Sequence, residues 1–487
     1  MKIAIASSEV FPFAKTGGLA DVAGALPKAL AKMGLEVAVV MPLYSVIDQK
    51  KFGITDTGKT ASVQMDWRHV AARIFEGSLP GGVRVFFVDV PEYFGRTVLY
   101  GTATGDEPDN AERFFFFSRI IPEVLKEMGF APDVVHVNDW QAGLTPLYLK
   151  ALYKDDPFFA GTGSLITVHN LGYQGVFWAL DMKITGLGWE YFTPEGIEFY
   201  GKINAMKAGL VYSDIINTVS KTYAKEIQTP EYGYGLDGVL QARASDLYGI
   251  VNGIDFEEWD PAADKNIYNP YTDLKGKQEN KKRLKEELGL APGNKPLFGI
   301  ISRLADQKGL DILSEAMDDM LATGMQFVML GTGDEKYHKL FSELAKSNPK
   351  QVSVTIGFNG KLASRIYAGS DVFMMPSLYE PCGLGQLISL RYGTIPLVRK
   401  TGGLADTVKN FSARTGKGNG FVFTDYTSKA LMKAVKAALA AYEDKKSWKL
   451  LVEDAMAEDN SWGNSAAEYA KLYKKAFEKA RGNKKAA

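Results

Sequence analysis

The strongest constraint on this chain is a double series of short apolar runs, rich in valine, isoleucine and phenylalanine, separated by stretches with helical spacing. That alternation is the signature of strand–helix units around a parallel sheet buried on both faces. The first half carries Ile3 to Ala6, Val37 to Val40, Val83 to Val90, Val134 to Val137, Leu165 to Val168 and Ile215 to Val219. The second carries Leu297 to Ile301, Phe327 to Leu330, Val352 to Ile356, Val372 to Met375, Ile395 to Val398 and Phe421 to Phe423. The expected fold is α/β, with two Rossmann-like, doubly wound domains. A polar stretch from Asn252 to Lys285 separates the two series and puts a hinge near residues 245–255, so the expected domains are 1–248 and 249–462. The remaining segment, 463–487, has Ala466, Tyr469, Leu472, Tyr473 and Phe477 at helical spacing and is expected to pack back on the N-terminal domain.

A length of 487 residues suits two or three domains of about 100 to 200 residues. Lys plus Arg and Asp plus Glu number 57 each, so no net field draws the chain to nucleic acid or to an acidic membrane. Any bound anion must be met by a local site. The single cysteine, Cys382, makes no intramolecular disulfide, and the four histidines are scattered, which offers no structural zinc cluster. The N-terminus reads as a strand rather than a leader, and no apolar stretch of about 18 residues follows it, so a soluble, cytoplasmic protein is expected. The mixed-charge run from Lys281 to Glu287 reads as a solvated helix face.

One heptapeptide ties the halves together: Lys15-Thr16-Gly17-Gly18-Leu19-Ala20-Asp21 recurs as Lys400-Thr401-Gly402-Gly403-Leu404-Ala405-Asp406. Each copy reads as a glycine turn at a helix N-terminus, where unpaired N–H groups and the helix dipole suit a phosphate. Two other glycine motifs fail on context. Gly53 to Thr60 matches a P-loop pattern, but a polar segment precedes it, and the alternation of Ala61, Val63 and Met65 predicts a following strand. Gly331-Thr332-Gly333 follows an apolar run, but Lys336 stands where a dinucleotide fingerprint needs its third glycine. No Asp-x-Asp pair occurs to hold a metal on a diphosphate, so lysine, arginine and backbone must neutralise it.

Polar residues collect just beyond the carboxyl ends of the expected strands, where doubly wound folds bind ligands. They are Asn138-Asp139-Trp140, His169-Asn170, Asn252 to Asp255, Ser302-Arg303 with Lys308, and Pro376 to Gly383. Contributions from both halves imply an interdomain cleft. These blocks, with Lys15 to Pro27, Asp109 to Phe114, Thr167 to Gly175, Ser302 to Gly309, Glu380 to Leu384 and Arg391 to Pro396, resemble the bacterial glycogen synthases and plant starch synthases over essentially the whole chain. The resemblance implies a GT-B type glycosyltransferase that moves glucose from ADP-glucose to the non-reducing end of an α-1,4-glucan with retention, using no metal or other cofactor. It implies an N-terminal acceptor side and a C-terminal nucleotide-sugar side. Glu380, His169, Arg303, Lys308 and Asp139 are the implied catalytic residues. Lys15, Gly18, Asn252, Gly383, Leu384, Thr401, Gly402 and Gly403 are assigned to the donor nucleotide, and Asp21, Tyr100, Asn170 and Cys382 to substrate. Departures from the family pattern at Gly385, Ile388 and Phe358 leave UDP-glucose open as a donor, and a related transferase with another acceptor remains the alternative. The usual threonine and tyrosine are absent at Gly385 and Ile388, which reads as a simple loss of hydroxyl partners for the donor.

Overall fold

The structure, a computed structural model, describes residues 1–102 and 105–486, with side chains through residue 482; the last residue of the segment 463–487 lies outside them. Two compact units result, Met1–Asn252 together with the final helix, and Gly253–Ser461. In the first, strands β1 (Lys2–Ala6), β2 (Glu36–Pro42), β3 (Thr55–Met65), β4 (Arg68–Leu79) and β5 (Val83–Asp89) are followed by a two-residue pair, β6 (Gly101–Thr102) and β7 (Gly105–Asp106). Then come β8 (Val134–Asn138), β9 (Gly163–Val168), β10 (Val176–Trp178), β11 (Glu198–Phe199), β12 (Lys202–Asn204), β13 (Ile215–Thr218) and β14 (Leu247–Gly249). The main sheet runs β14-β13-β9-β8-β1-β2-β5-β4-β3, while β10, β12 and β11 form a small antiparallel sheet of their own. All six apolar runs of the first half are strands of the main sheet, and they pair in parallel. The edge pair β4 and β3 is antiparallel, so the sheet is mixed. The P-loop-like stretch lies partly in β3, with a register shift between Asp56 and Lys59, and no helix follows it.

The second unit is built on β15 (Leu297–Ile301), β16 (Gln326–Gly331), β17 (Val352–Ile356), β18 (Val372–Met375), β19 (Ile395–Arg399) and β20 (Phe421–Phe423). These form one fully parallel sheet in the order β17-β16-β15-β18-β19-β20. Both sheets therefore reverse strand order once beside their first strand, at β1/β8 and at β15/β18. Such switch points open a crevice at the carboxyl ends of the strands. No helix among the described residues is long and apolar enough to cross a membrane.

The reading of the charge run as a solvated face is corrected. It lies in the helix Leu274–Glu287, where Lys277, Lys281 and Lys285 are buried, whereas Lys282, Arg283, Glu286 and Glu287 are exposed. Residues four apart share one face of a helix, so a run that alternates in sequence divides in space. Lys281 Nζ lies 2.6 Å from Asp371 and donates to the Tyr442 hydroxyl at 3.0 Å. Lys277 Nζ donates to the carbonyls of Ala368 and Tyr392, each at 3.0 Å, and to Thr394 Oγ1 at 2.6 Å. Burial draws the Lys277 ammonium down to a pKa of about 7. Lys285 Nζ donates to the Gly293 carbonyl.

The final helix, Trp462–Ala486, belongs to the first unit. Trp462, Ala466, Tyr469, Leu472, Tyr473 and Ala476 join its core. Polar contacts fix the register: Tyr473 bonds His136 Nδ1 at 2.9 Å, and Asn217 Nδ2 donates to Tyr469 at 2.9 Å. His136 also bonds Thr167 through Nε2, and burial lowers its pKa to about 3, so the ring is neutral.

Candidate active site

In the first unit the polar residues sit at the ends of β1, β8 and β9, around the switch point. The loop after β1 folds back on the helix Gly18–Lys32, with the Phe11 N–H on the Ala20 carbonyl at 2.9 Å. Gly24 permits this, because a Cβ there would stand 2.3 Å from the Phe11 oxygen. Lys15, at the loop's far end, pairs with Asp21 at 2.7 Å. Burial holds the Asp21 carboxyl above its ordinary range against the pull of that lysine.

Inside the loop lies a residue the sequence reading missed. The buried Glu9 carboxylate accepts from Thr16 Oγ1 (2.6 Å), the Thr16 N–H, the Gly17 N–H (3.2 Å) and the Tyr100 hydroxyl (2.7 Å). Tyr100 thus faces Glu9 and also bonds Ser8 at 2.7 Å. Its own backbone is clamped by the block read as a motif at 109–114: Asn110 donates to the Tyr100 carbonyl at 2.8 Å, and buried Arg113 to that of Leu99 at 3.0 Å. The only signal for Glu9 was its place directly after the first strand.

Asp139 occupies a left-handed conformation (φ 54°) at the end of β8 and accepts the His169 N–H at 2.7 Å. Burial pushes its carboxyl up to about 7, with Glu9 adding a smaller push. Asn138 donates its amide to the Ala6 carbonyl at 3.1 Å, which turns its Oδ1 to the His169 ring, where Nε2 lies 2.8 Å away. Burial lowers the His169 pKa to about 3, so the ring is neutral with its proton on Nε2 and a lone pair on Nδ1. Asn170 spends its Oδ1 on the Gly172 N–H at 3.0 Å. Asn252 is buried where this unit ends, and its Oδ1 has no hydrogen-bond partner among the described residues.

The second constellation occupies the ends of β15 and β18. The turn Asp306–Lys308 closes on Gly309 (φ 69°), where a Cβ would come within 2.0 Å of the Pro376 oxygen. Only glycine lets these two loops meet. Leu378 N–H then bonds the Gln307 carbonyl at 2.9 Å, and the Gln307 amide bonds that of Tyr379 at 3.2 Å. The result is a Lys308–Glu380 ion pair at 2.7 Å, with Ser377 Oγ on the same carboxylate oxygen at 3.0 Å. Glu380 is buried, whereas Arg303 is exposed and touches Gln307 at 3.2 Å. Buried Cys382 and Gly383 (φ 72°) lead through Leu384 into the helix Gly385–Arg391, held by Gln386 Nε2 on the carbonyls of Cys382 and Gly383.

The second heptapeptide copy meets this loop from the end of β19. Gly403 N–H bonds the carbonyls of Glu380 and Pro381, both at 3.1 Å. A Cβ at Gly402 would lie 1.9 Å from the Glu380 oxygen, and one at Gly403 2.3 Å from that of Cys382. Thr401 is buried beside them. The two glycines therefore hold the loop that carries Glu380, and the Gly403 N–H reserved for phosphate in the sequence reading is already bonded.

Gly385 and Ile388 are not simple losses of hydroxyl groups. A Cβ at Gly385 would lie 2.8 Å from the Phe373 ring, and Ile388 is buried in the cluster of Phe373, Tyr367 and Tyr392. Phe358 is 91% exposed and takes no part in that cluster.

Residues 2–242 match the family model described as starch synthase catalytic domain, and residues 278–450 that of glycosyl transferases group 1. The chain is 48% identical to a glycogen synthase of Syntrophotalea carbinolica, over 98% of this chain and 99% of that one. Identity is 50% to one from Thermosipho africanus, over 99% and 100%. The solved catalytic domain of starch synthase IV from Arabidopsis thaliana, bound to ADP and acarbose, superimposes with a TM-score of 0.91 at 34% identity, covering 98% of this chain and 99% of that one. Sucrose-phosphate synthase of Thermosynechococcus elongatus, at 17% identity and a TM-score of 0.60, shares the fold alone. With full-length identity near one half to glycogen synthases, the chain belongs to the glycogen and starch synthase family of glycosyltransferases.

Proposed function

We propose that this glycosyltransferase moves glucose from ADP-glucose to the non-reducing 4-hydroxyl of an α-1,4-glucan, retaining the anomeric configuration. The observation that carries the reading is the buried Glu380 carboxylate paired with Lys308 beside the exposed Arg303. As the bond from C1 to the phosphate oxygen breaks, negative charge grows on the diphosphate, and cations already in place stabilise that charge more than the ground state. Glu380 binds sugar hydroxyls there, and the neutral His169 offers its Nδ1 lone pair to another. Asp139 acts through the backbone it holds, keeping His169 and Asn170 in position. The 4-hydroxyl attacks C1 from the face the phosphate leaves, and its proton passes to the departing phosphate oxygen. Donor binding falls to residues of 249–462 and acceptor binding to those of 1–248, with Lys15 reaching the donor phosphates. The starch synthase bound to ADP and acarbose supports an ADP-sugar and a glucan, and the single buried cysteine supports a reducing, cytoplasmic setting.

The test is competition between ADP-glucose and UDP-glucose, each with labelled glucose, on malto-oligosaccharide. Label should enter chains lengthened by α-1,4 linkages, and faster from ADP-glucose. Preference for UDP-glucose, or transfer only to sucrose-forming or lipid acceptors, would overturn the reading.

A further inference from the structure

Glu9 is a buried anion whose named hydrogen-bond partners are all neutral: the Thr16 hydroxyl, the N–H groups of Thr16 and Gly17, and the Tyr100 phenol. A carboxylate taken from water is costly unless its lone pairs are met, and here four donors meet it. The Lys15 ammonium is not among them, since it stands on Asp21 at 2.7 Å. Three of the four donors belong to the two residues that follow Lys15, so the carboxylate fixes the backbone from which that lysine projects. The fourth, Tyr100, is anchored through Asn110 and Arg113 to the buried helix Asn110–Glu127. Burial, with the charge of Glu9 as a smaller cause, keeps that phenol protonated and able to donate.

The repeated heptapeptide supplies an internal comparison. In the second copy the Gly403 N–H is taken by the carbonyls of Glu380 and Pro381, and the glycines receive a loop. In the first copy the Thr16 and Gly17 N–H groups are taken by Glu9. The bonded amides are not equivalent, since Gly403 corresponds to Gly18 while Thr16 and Gly17 correspond to Thr401 and Gly402, but in each copy the turn spends amides on the protein itself.

We propose that Glu9 is a positioning residue for glucosyl transfer: its carboxylate occupies the Thr16 and Gly17 amides and thereby presents Lys15, rather than those two amides, to the donor's phosphates. This rests on the reading of Lys15 as a donor-facing cation.

Two variants test it. Glu9→Gln keeps the shape but has one oxygen where four donors need two, and Thr16→Val removes one donor at an exposed position. The first readout is the rate at which Lys15 is modified by an amine reagent, and the ADP concentration that protects it, followed by mass spectrometry. The second is kcat/KM for ADP-glucose. Glu9→Gln should raise the protecting ADP concentration about tenfold and lower kcat/KM by a similar factor, and Thr16→Val should do the same about threefold. Thr16→Val should melt within a degree or two of the parent, which separates positioning from collapse. Unchanged protection and kcat/KM in Thr16→Val, with Glu9→Gln either unchanged or unfolded, overturn the proposal. If ADP gives no protection of Lys15 even in the parent chain, it is the donor-facing reading of Lys15 that fails.

Discussion

Lys308 and Arg303 come from one motif but stand in different surroundings, and their substitutions should separate accordingly. Lys308→Ala strips the cation from buried Glu380 and leaves it with Ser377, so it should cost about 3 kcal/mol of stability as well as roughly 100-fold in kcat/KM. Arg303→Ala, at an exposed position, should lose a similar factor in rate with the melting temperature unchanged. Calorimetry beside kinetics reads both, and near-normal rates in the two variants would sink the phosphate assignment. Gly385→Thr bears on the donor side. The family's usual threonine would drive its Cβ against Phe373, so the variant should lose about 1 to 3 kcal/mol and bind donor no tighter; a lower KM at unchanged stability would contradict this. These contrasts mark what the sequence could disclose about the site. Residue types and their place after strands pointed to Lys308, Glu380, His169 and Asp139. Which partner each side chain would meet was hidden, because Asn138 and His169 lie 31 positions apart and Glu9 and Tyr100 lie 91 apart, so these pairs meet only through folding.

The helix Leu274–Glu287 shows the same limit for a whole element. Its pattern of charges was legible, but which lysines are buried depends on Asp371, Tyr442 and the carbonyl ends of two later helices. Lys281→Ala should therefore leave Asp371 without its ion-pair partner at 2.6 Å and cost about 3 kcal/mol or more, whereas Lys282→Ala, one residue on and exposed, should stay within about 0.5 kcal/mol. Urea denaturation of the two variants decides it, and equal midpoints would restore the solvated-face reading. Strands were legible for a physical reason: a run buried on both faces must be apolar at consecutive positions, so all of the apolar runs read from the sequence became strands of the two main sheets. The elements that escaped notice lack that mark. β4 alternates, with one face more exposed than the other, and β11 and β12 are only two and three residues long, below the reach of any periodicity. β14 is half-buried throughout.

At the scale of the molecule, the two units hold buried titratable groups that act in different pH windows. The first holds His136 and His169, both lowered to about 3 from an ordinary 6.5, and Asp139, raised to about 7 from 3.8. Between pH 4 and 6.5 the unfolded chain binds two more protons than the native one at the histidines, and one fewer at the aspartate. Their balance makes stability rise with pH, by about 1.4 kcal/mol per unit, so the first unit weakens as acid is added. The second unit holds Lys277, lowered to about 7 from 10.5. Its unfolded form binds the extra proton between those values, so stability rises from pH 7 upward and is complete only above 10.5. Buried tryptophans can report on each unit separately, Trp462 in the first and Trp448 in the second. In variants that keep one of these as the sole tryptophan, the urea midpoint read at Trp462 should fall between pH 7 and pH 5. The midpoint read at Trp448 should climb between pH 7 and pH 9, and Lys277→Met should flatten that climb. Midpoints that move together across both intervals would mean that the units unfold as one body, and midpoints that stay in place would mean that these buried groups titrate as they do in water.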